Sequence, residues 1–329
     1  MTDAAWNAWY RGRRVVVIGG LGFIGANLSR RLVALGASCT AVTPHRSAHE
    51  ANAAALEKHG ARVVEGDLRD RVAIQAAVDG QSVVFNLSGR SGAVRSMEDP
   101  FTDLDVNCRG NLVLLEALRA SSPAAKIVFP GSRLEYGRPF SIPVAEDDPL
   151  DPLCVHAVHK IAVESYLKVY AHLYGMRSTV LRITNPFGPG QPAGRSAYGV
   201  VNRLIHLALE DRPLPIFGDG RQLRDYIYID DAVEALLAAG ATRETDGRAY
   251  NVGSGTGTPL VEMARRIIEL AGRGTLAFQP WPAMAEQIET GDFVADISRL
   301  RADTGWQPVT PLTDGLQRTI DVCRVPARV

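Results

Sequence analysis

The stretch Arg14-Val15-Val16-Val17-Ile18-Gly19-Gly20-Leu21-Gly22-Phe23-Ile24-Gly25 passes from an apolar β-branched run through a glycine turn into a helical pattern. Arg14–Ile18 reads as a buried strand, and residues 23–35 as a helix with Ile24, Leu28, Leu32 and Leu35 on one face. Gly20, Gly22 and Gly25 form G-x-G-x-x-G between them. Glycines permit the tight turn and let the backbone approach a pyrophosphate, while the helix N-terminus offers unpaired N–H groups and a favourable dipole. A strand before the glycines and a helix after them separate this pattern from an ordinary glycine-rich turn. The segment is therefore expected to bind a dinucleotide of the NAD(P) type.

Working outward, strands are expected at residues 39–42, Arg62–Glu65, 82–87, 126–129 and 178–183. Helices are expected to end at Val78 and to span residues 106–120 and Val155–Tyr174. Continuous apolar strands alternating with helices predict an α/β, Rossmann-like doubly wound parallel sheet with both faces covered. After Thr184 the pattern changes: residues 185–199 read as a Pro/Gly-rich loop, Val200–Leu209 as a helix and residues 218–220 as a turn. We expect residues 1–180 to form the dinucleotide-binding domain. Residues 181–329 should form mainly a smaller substrate lobe, with some segments returning to the first.

The bulk properties narrow the function classes. The 329 residues carry 36 Lys plus Arg against 36 Asp plus Glu, so no overall field attracts nucleic acid or an acidic membrane surface. Any anionic ligand must be held by local groups. The 4 cysteines (Cys39, Cys108, Cys154, Cys323) are scattered, without C-x-x-C or zinc-ligand spacing, so neither a disulfide framework nor a metal site is expected. The opening residues contain no apolar stretch of signal-peptide length, and no apolar run reaches membrane-spanning length. A cytoplasmic location is expected.

The end of the second strand bears on the cofactor. An acid there bonds the ribose 2′-hydroxyl of NAD, whereas a small residue with a nearby Arg suits the 2′-phosphate of NADP. Thr43-Pro44-His45-Arg46 has no acid, which favours NADP(H) over NAD(H). Asp67 and Leu68, after the third strand, are placed to meet the adenine ring.

Further motifs follow in order: Asn86-Leu87-Ser88-Gly89, Asp105-Val106-Asn107-Cys108-Arg109-Gly110-Asn111, and Gly131-Ser132-Arg133-Leu134-Glu135-Tyr136-Gly137. Then come Arg182-Ile183-Thr184-Asn185-Pro186-Phe187-Gly188-Pro189, Gly218-Asp219-Gly220 and Arg224-Asp225-Tyr226-Ile227-Tyr228-Ile229-Asp230-Asp231. With the alternative glycine reading Gly19-x-x-Gly22-x-x-Gly25, this series resembles the extended short-chain dehydrogenases/reductases. In particular it resembles the NAD-dependent epimerase/dehydratase family of sugar-nucleotide enzymes, over residues 13–316. The resemblance implies a cofactor lobe and a smaller lobe for a nucleoside-diphosphate sugar. The cofactor would be held by Gly19, Gly22, Phe23, Ile24, Gly25, Thr43, Arg46, Asp67, Leu68, Leu87, Asn107 and Lys160. The substrate would be held by Asn185, Val200 and Arg224; the alternative for Arg224 is an ion pair with Asp225 or Asp230. Loops around residues 195–201 and 275–290 would set the sugar. It also implies a homodimer through the helices at 106–120 and 156–174; Ile161, Leu167, Val169 and Leu173 suit either that contact or the core.

The family's chemistry rests on Y-x-x-x-K plus a Ser or Thr. Ser132 and Lys160 are present, and the Tyr position holds His156. Imidazole titrates near 6.5, so it is a base at neutral pH without assistance. Lys160 at i+4 shares its helix face and favours the neutral ring; His159 at i+3 reads first as an exposed or packing histidine, with assistance to His156 as the alternative. Three accounts of His156 are open: it is the working acid/base, or Glu135, Tyr136 or Cys154 has taken over, or the chain is a non-catalytic NADP-binding sensor. The reading is an NAD(P)-dependent epimerase/oxidoreductase acting by hydride transfer at a ring carbon, most simply C4. The alternatives are an NADPH-dependent 4-keto-sugar reductase and a dehydratase using Glu135.

Overall fold

Seven parallel strands form the main sheet of the computed structural model, which describes residues 3–191 and 199–324. Twelve strands are present among those residues: β1 (Arg14–Ile18), β2 (Ser38–Thr43), β3 (Arg62–Glu65), β4 (Val83–Asn86), β5 (Lys126–Ser132), β6 (Arg177–Ile183), β7 (Asn185–Phe187), β8 (Pro213–Phe217), β9 (Leu223–Tyr228), β10 (Arg248–Val252), β11 (Gly257–Pro259) and β12 (Thr275–Gln279). The main sheet runs β10-β6-β5-β4-β1-β2-β3, every pair parallel. Strand order reverses at β1, between β2 and β4, so the crevice at the carboxyl end of β1 is where a doubly wound sheet takes its ligand.

Alternation explains why these strands are apolar throughout. Val15, Val17, Val83 and Phe85 enter the core on one face; Val16, Ile18 and Val84 enter that on the other. Successive side chains of a strand point to opposite faces, and both faces are covered here. The helices Phe23–Ala34 and Ile229–Ala241 cover the first face. Arg71–Val78, Gly110–Ser121 and Val155–Tyr174 cover the second.

In the later half, β10 pairs with β6 in the main sheet, and residue 180 lies inside β6. A single apolar cluster runs from Val15 and Phe85 to Ile216 and Met263, so the two parts share one core. Asn185–Phe187, expected as loop, is β7: it pairs with β9, which also pairs with β11 in a second, three-stranded sheet. β8 and β12 form a separate parallel pair. Residues 192–198, part of the expected loop and of the expected specificity segment 195–201, lie outside the described residues.

The helix expected at 106–120 is also broken up. Pro100–Leu104 is helical, Asp105–Arg109 is a π turn, and the regular helix is Gly110–Ser121. Of the residues considered for subunit contact, Leu167 belongs to the core, while Val169 and Leu173 are exposed. Among the described residues no helix is long and apolar enough to cross a membrane.

Candidate active site

The glycine turn is bound into the sheet from both sides. Gly19 and Gly20 donate N–H bonds of 2.8 and 3.0 Å to the Val42 carbonyl. Gly19 has φ +81°, and a Cβ on it would lie 2.7 Å from the Leu87 carbonyl carbon and the Ser88 nitrogen. At Gly25 a Cβ would lie 2.0 Å from the Gly19 carbonyl oxygen, so the helix starts against the turn itself. Beside it lies a cleft of about 320 Å³ lined by Gly19, Gly22, Phe23, Ile24, Gly25 and Leu87. Ser132, His156 and Lys160 line it too. A glycine cradle at a helix N-terminus fits the pyrophosphate of a dinucleotide.

Five residues expected at the cofactor line neither this cleft nor its neighbour. Thr43 is buried at the end of β2, its carbonyl accepting a 2.8 Å bond from Gly66. Arg46 is held bidentately by Glu57 at 2.7 and 2.8 Å, with Glu50 at 3.6 Å. Asp67 is engaged by Arg69 at 2.7 Å, and Arg69 also reaches Asp105 at 2.9 Å. Leu68 is in the core, close under Gly110. Asn107 supports the cleft from behind: its carboxamide donates to the Arg90 carbonyl at 2.9 Å and accepts from the Arg90 N–H at 3.0 Å.

A second cavity of about 330 Å³ adjoins the first and is lined by Asn185, Val200 and Arg224. It is also lined by Arg133, Tyr226, Glu289, Phe217 and Trp281. Asn185 donates to the Asp225 carbonyl at 2.8 Å and accepts from Arg133 at 3.2 Å; Arg133 also donates to Thr290 at 2.7 Å. Burial, then the neighbouring Arg224 charge, pushes the Arg133 guanidinium down to about 10. Arg224 pairs with Glu289 and donates to the Gly291 carbonyl at 2.6 Å. The ion pair weighed for it with Asp225 or Asp230 is absent, because Asp225 is buried and accepts N–H bonds from Ser254, Gly255 and Ala295 instead.

Ser132 and His156 line both cavities. Ser132 ends β5, and His156 lies in the first turn of the helix Val155–Tyr174, where its backbone N–H donates to the Ser96 hydroxyl at 3.0 Å. Burial pushes its imidazole below the usual value; Asp103 opposes this and Lys160 adds to it. Lys160 donates to the Pro130 carbonyl at 2.8 Å and is pushed down to about 8 by burial, against nearby carboxylates. His159 lines neither cavity; its Nδ1 is 2.6 Å from Asp103.

The three side chains considered as replacements for His156 point elsewhere. Glu135 closes a capping box by accepting the Ser132 N–H at 2.6 Å, which turns its carboxylate into the interior beside Arg182, 3.3 Å away. Burial, then the Glu164 charge, holds that carboxyl above its usual range. Tyr136 donates to Asn251 at 2.7 Å, and Cys154 is buried with its thiol pushed up by that burial. None of the three lines either cavity.

Sequence reasoning missed Arg133, Asp103, Glu289 and the aromatic pair Phe217–Trp281, whose ring centroids are 5.4 Å apart. Adjacency to Ser132 was a usable signal for Arg133, and Phe217 immediately precedes the Gly218 turn. Trp281 and Glu289 lie in the 275–290 segment expected to set the sugar, where neither was singled out; nothing local marks Asp103.

The family described as "NAD dependent epimerase/dehydratase family" matches residues 15–253. The chain belongs to that family. A UDP-glucose 4-epimerase of Mycolicibacterium smegmatis is 31% identical over 319 residues, 94% of this chain and 98% of that protein. The UDP-glucose 4-epimerase of Thermotoga maritima, solved with UDP-glucose, superposes with a TM-score of 0.87 at 28% identity, covering 94% of this chain and 98% of that one. The UDP-glucose 4-epimerase of Thermus thermophilus, solved with NAD, gives 0.85 at 30% identity, covering 95% and 100%.

Proposed function

We propose that the chain is a nucleoside-diphosphate-sugar epimerase acting at C4, with His156 as the acid/base in place of the family's Tyr. The observation that carries this is the position of His156 and Ser132 on the seam between the two cavities. A nicotinamide held in the first cavity would supply reversible hydride acceptance. His156 takes the proton of the C4 hydroxyl and later returns it, Ser132 donates a hydrogen bond to the same oxygen, and Lys160 keeps the imidazole neutral and would hold the nicotinamide ribose. With rotation of the keto-sugar between the two transfers, configuration inverts with no net redox change.

Arg224, Arg133 and Asn185 supply the cations and amide for a diphosphate, and Phe217 with Trp281 offers an aromatic surface for a base. Uracil is the base of the UDP-glucose named for these relatives. The Arg46–Glu57 pair removes the main reason for preferring NADP(H), so NAD(H) is our assignment. The dehydratase reading loses its acid, since Glu135 is turned into the interior. The sensor reading leaves Ser132 and Lys160 at the cleft unexplained. We assign residues up to the end of β6, with β10, to the cofactor lobe, and most of the remainder to the sugar-nucleotide lobe. A homodimer and a reducing, cytoplasmic setting complete the reading; the free thiols Cys39, Cys108 and Cys154 suit the latter.

The test incubates the enzyme and NAD+ or NADP+ with a panel of UDP-hexoses and follows inversion at C4 by NMR. Inversion without accumulation of reduced nicotinamide is expected, with NAD+ the better cofactor. Stoichiometric consumption of NADPH would establish the reductase instead, and binding without turnover the sensor. His156→Phe should lower kcat by ~10²-fold or more; unchanged turnover would remove His156 from the mechanism.

A further inference from the structure

Asp103 is fully buried on the short helix Pro100–Leu104, and its two carboxylate oxygens are treated differently. Oδ1 accepts from Asn107 Nδ2 at 2.9 Å and lies 2.6 Å from His159 Nδ1. Oδ2 has no hydrogen-bond partner, although it too is out of contact with solvent. His156 Nδ1 lies 3.8 Å from it. A buried, unpaired carboxylate oxygen is costly and needs a physical reason.

The neighbouring amide restricts what His156 Nδ1 can do. Asn107 Nδ2 lies 3.5 Å from that nitrogen, yet both of its hydrogens are engaged, by Asp103 Oδ1 and by the Arg90 carbonyl. The Arg90 N–H donating to Asn107 Oδ1 fixes the amide in this orientation. Among the described residues no donor is left for Nδ1, and a proton on that nitrogen would face the unpaired Asp103 Oδ2. The lone pair would then be on Nε2, at the ring edge away from Asp103.

We propose that Asp103 is the positioning carboxylate of His156. It holds the imidazole in the Nδ1–H tautomer and pairs with the imidazolium formed when Nε2 takes the substrate proton. His159 and Asn107 lock Asp103 through Oδ1 so that Oδ2 remains for His156. This inference rests on His156 being the acid/base. The gap closes to a hydrogen bond when ligand or a proton arrives, as catalytic hydrogen bonds long in the free enzyme commonly do. The Asp103 carboxyl is itself held at about 2: burial would raise it, but its contacts with His156, His159 and Asn107 outweigh that. It is therefore an anion throughout the working range.

The test uses the full-length enzyme saturated with NAD+ and labelled with 15N-histidine; His156 and His159 resonances are assigned by comparison with His156→Phe and His159→Phe. Wild type should show His156 as the Nδ1–H tautomer, and an Nε2–H tautomer overturns the proposal. In Asp103→Asn that preference should be lost and the His156 pKa should fall. Besides Asp103, the charged and titratable groups around His156 are Lys160 and His159 on its own helix, Cys154 just before it, Cys108 in the π turn and Arg90, which is tied to Asp99. All of these are retained in the variant, so an unmoved His156 pKa also overturns the proposal. With a turned-over substrate, Asp103→Asn should lower kcat by ~10²-fold with little change in KM, and Asp103→Glu should restore part of it. Full activity in Asp103→Asn together with an inactive His156→Phe overturns this inference and leaves the base assignment standing; an active His156→Phe overturns the base assignment instead. If Asp103→Asn does not fold, the wild-type tautomer decides.

Discussion

At Gly25 the absence of one carbon lets the helix start against the glycine turn. A Cβ there would lie 2.0 Å from the Gly19 carbonyl oxygen, far inside van der Waals contact, and that oxygen belongs to backbone fixed by two bonds to Val42. Gly25→Ala therefore has to push the helix off the turn. Overpacking of this kind costs about 1–3 kcal/mol, read as a fall in the urea midpoint. Dinucleotide affinity by calorimetry should weaken by ~10-fold or more, since the displaced N-terminus no longer meets the pyrophosphate. Affinity unchanged from wild type would show that the turn is not the phosphate cradle. Gly19, Gly22 and Gly25 were legible in the sequence because the constraint they answer is local: strand, turn and helix are consecutive in the chain. Arg46 was legible only as a charge; its bidentate bond to Glu57 depends on the following helix folding back over it.

At the scale of elements, the helix Val155–Tyr174 faces three ways. His156 and Lys160 reach the cavities, and Val163 and Leu167 enter the core. Val158, Val169, Leu173 and Tyr174 remain exposed. Phe101 and Leu104, on the short helix packed beside this one, are exposed as well, and these residues are where we place the proposed dimer contact. Sedimentation velocity should find a dimer for the wild type and a monomer for Val169→Glu/Leu173→Glu; a wild-type monomer at micromolar concentration would remove that proposal. The helical period of this segment was readable in the sequence, but not which apolar residues were core and which free, because that depends on where the helix lies on the sheet. The π turn at Asp105–Arg109 was not readable either. Its extra residue lets Asn107 face Arg90 and Asp103 together, a tertiary requirement without a propensity signature.

Over the whole molecule, the buried charges make acid stability depend on Asp103. Its folded-state value of about 2 lies below the ordinary value near 3.9, so the stability it contributes is present above pH ~4 and is lost as pH falls towards ~2. A shift of that size corresponds to about 2–3 kcal/mol. Urea denaturation at pH 5 and again near pH 2 should therefore show the stability gap between wild type and Asp103→Asn shrinking by about that amount. A gap independent of pH would mean that Asp103 is not ionised with a depressed pKa in the fold. His156 acts in the same direction, being held below its unfolded value near 6.5, so it favours the folded state above that pH and less below it.

The sequence by itself determined the parallel α/β sheet, the glycine cradle and the presence of Ser132, His156 and Lys160, because these follow from local periodicity and from motifs a few residues long. Tertiary structure decided the rest. It turned Glu135, Tyr136 and Cys154 away from the cavities, engaged Arg46 and Asp67 in ion pairs, and brought Arg133, Arg224 and Glu289 to one pocket. It also set Asp103 behind His156, across more than fifty residues of chain. The reason is physical: a side chain's charge and size are fixed by its identity. Whether it meets a ligand, an opposite charge or the core is fixed by which distant strands and helices pack against it, and no local window contains that information.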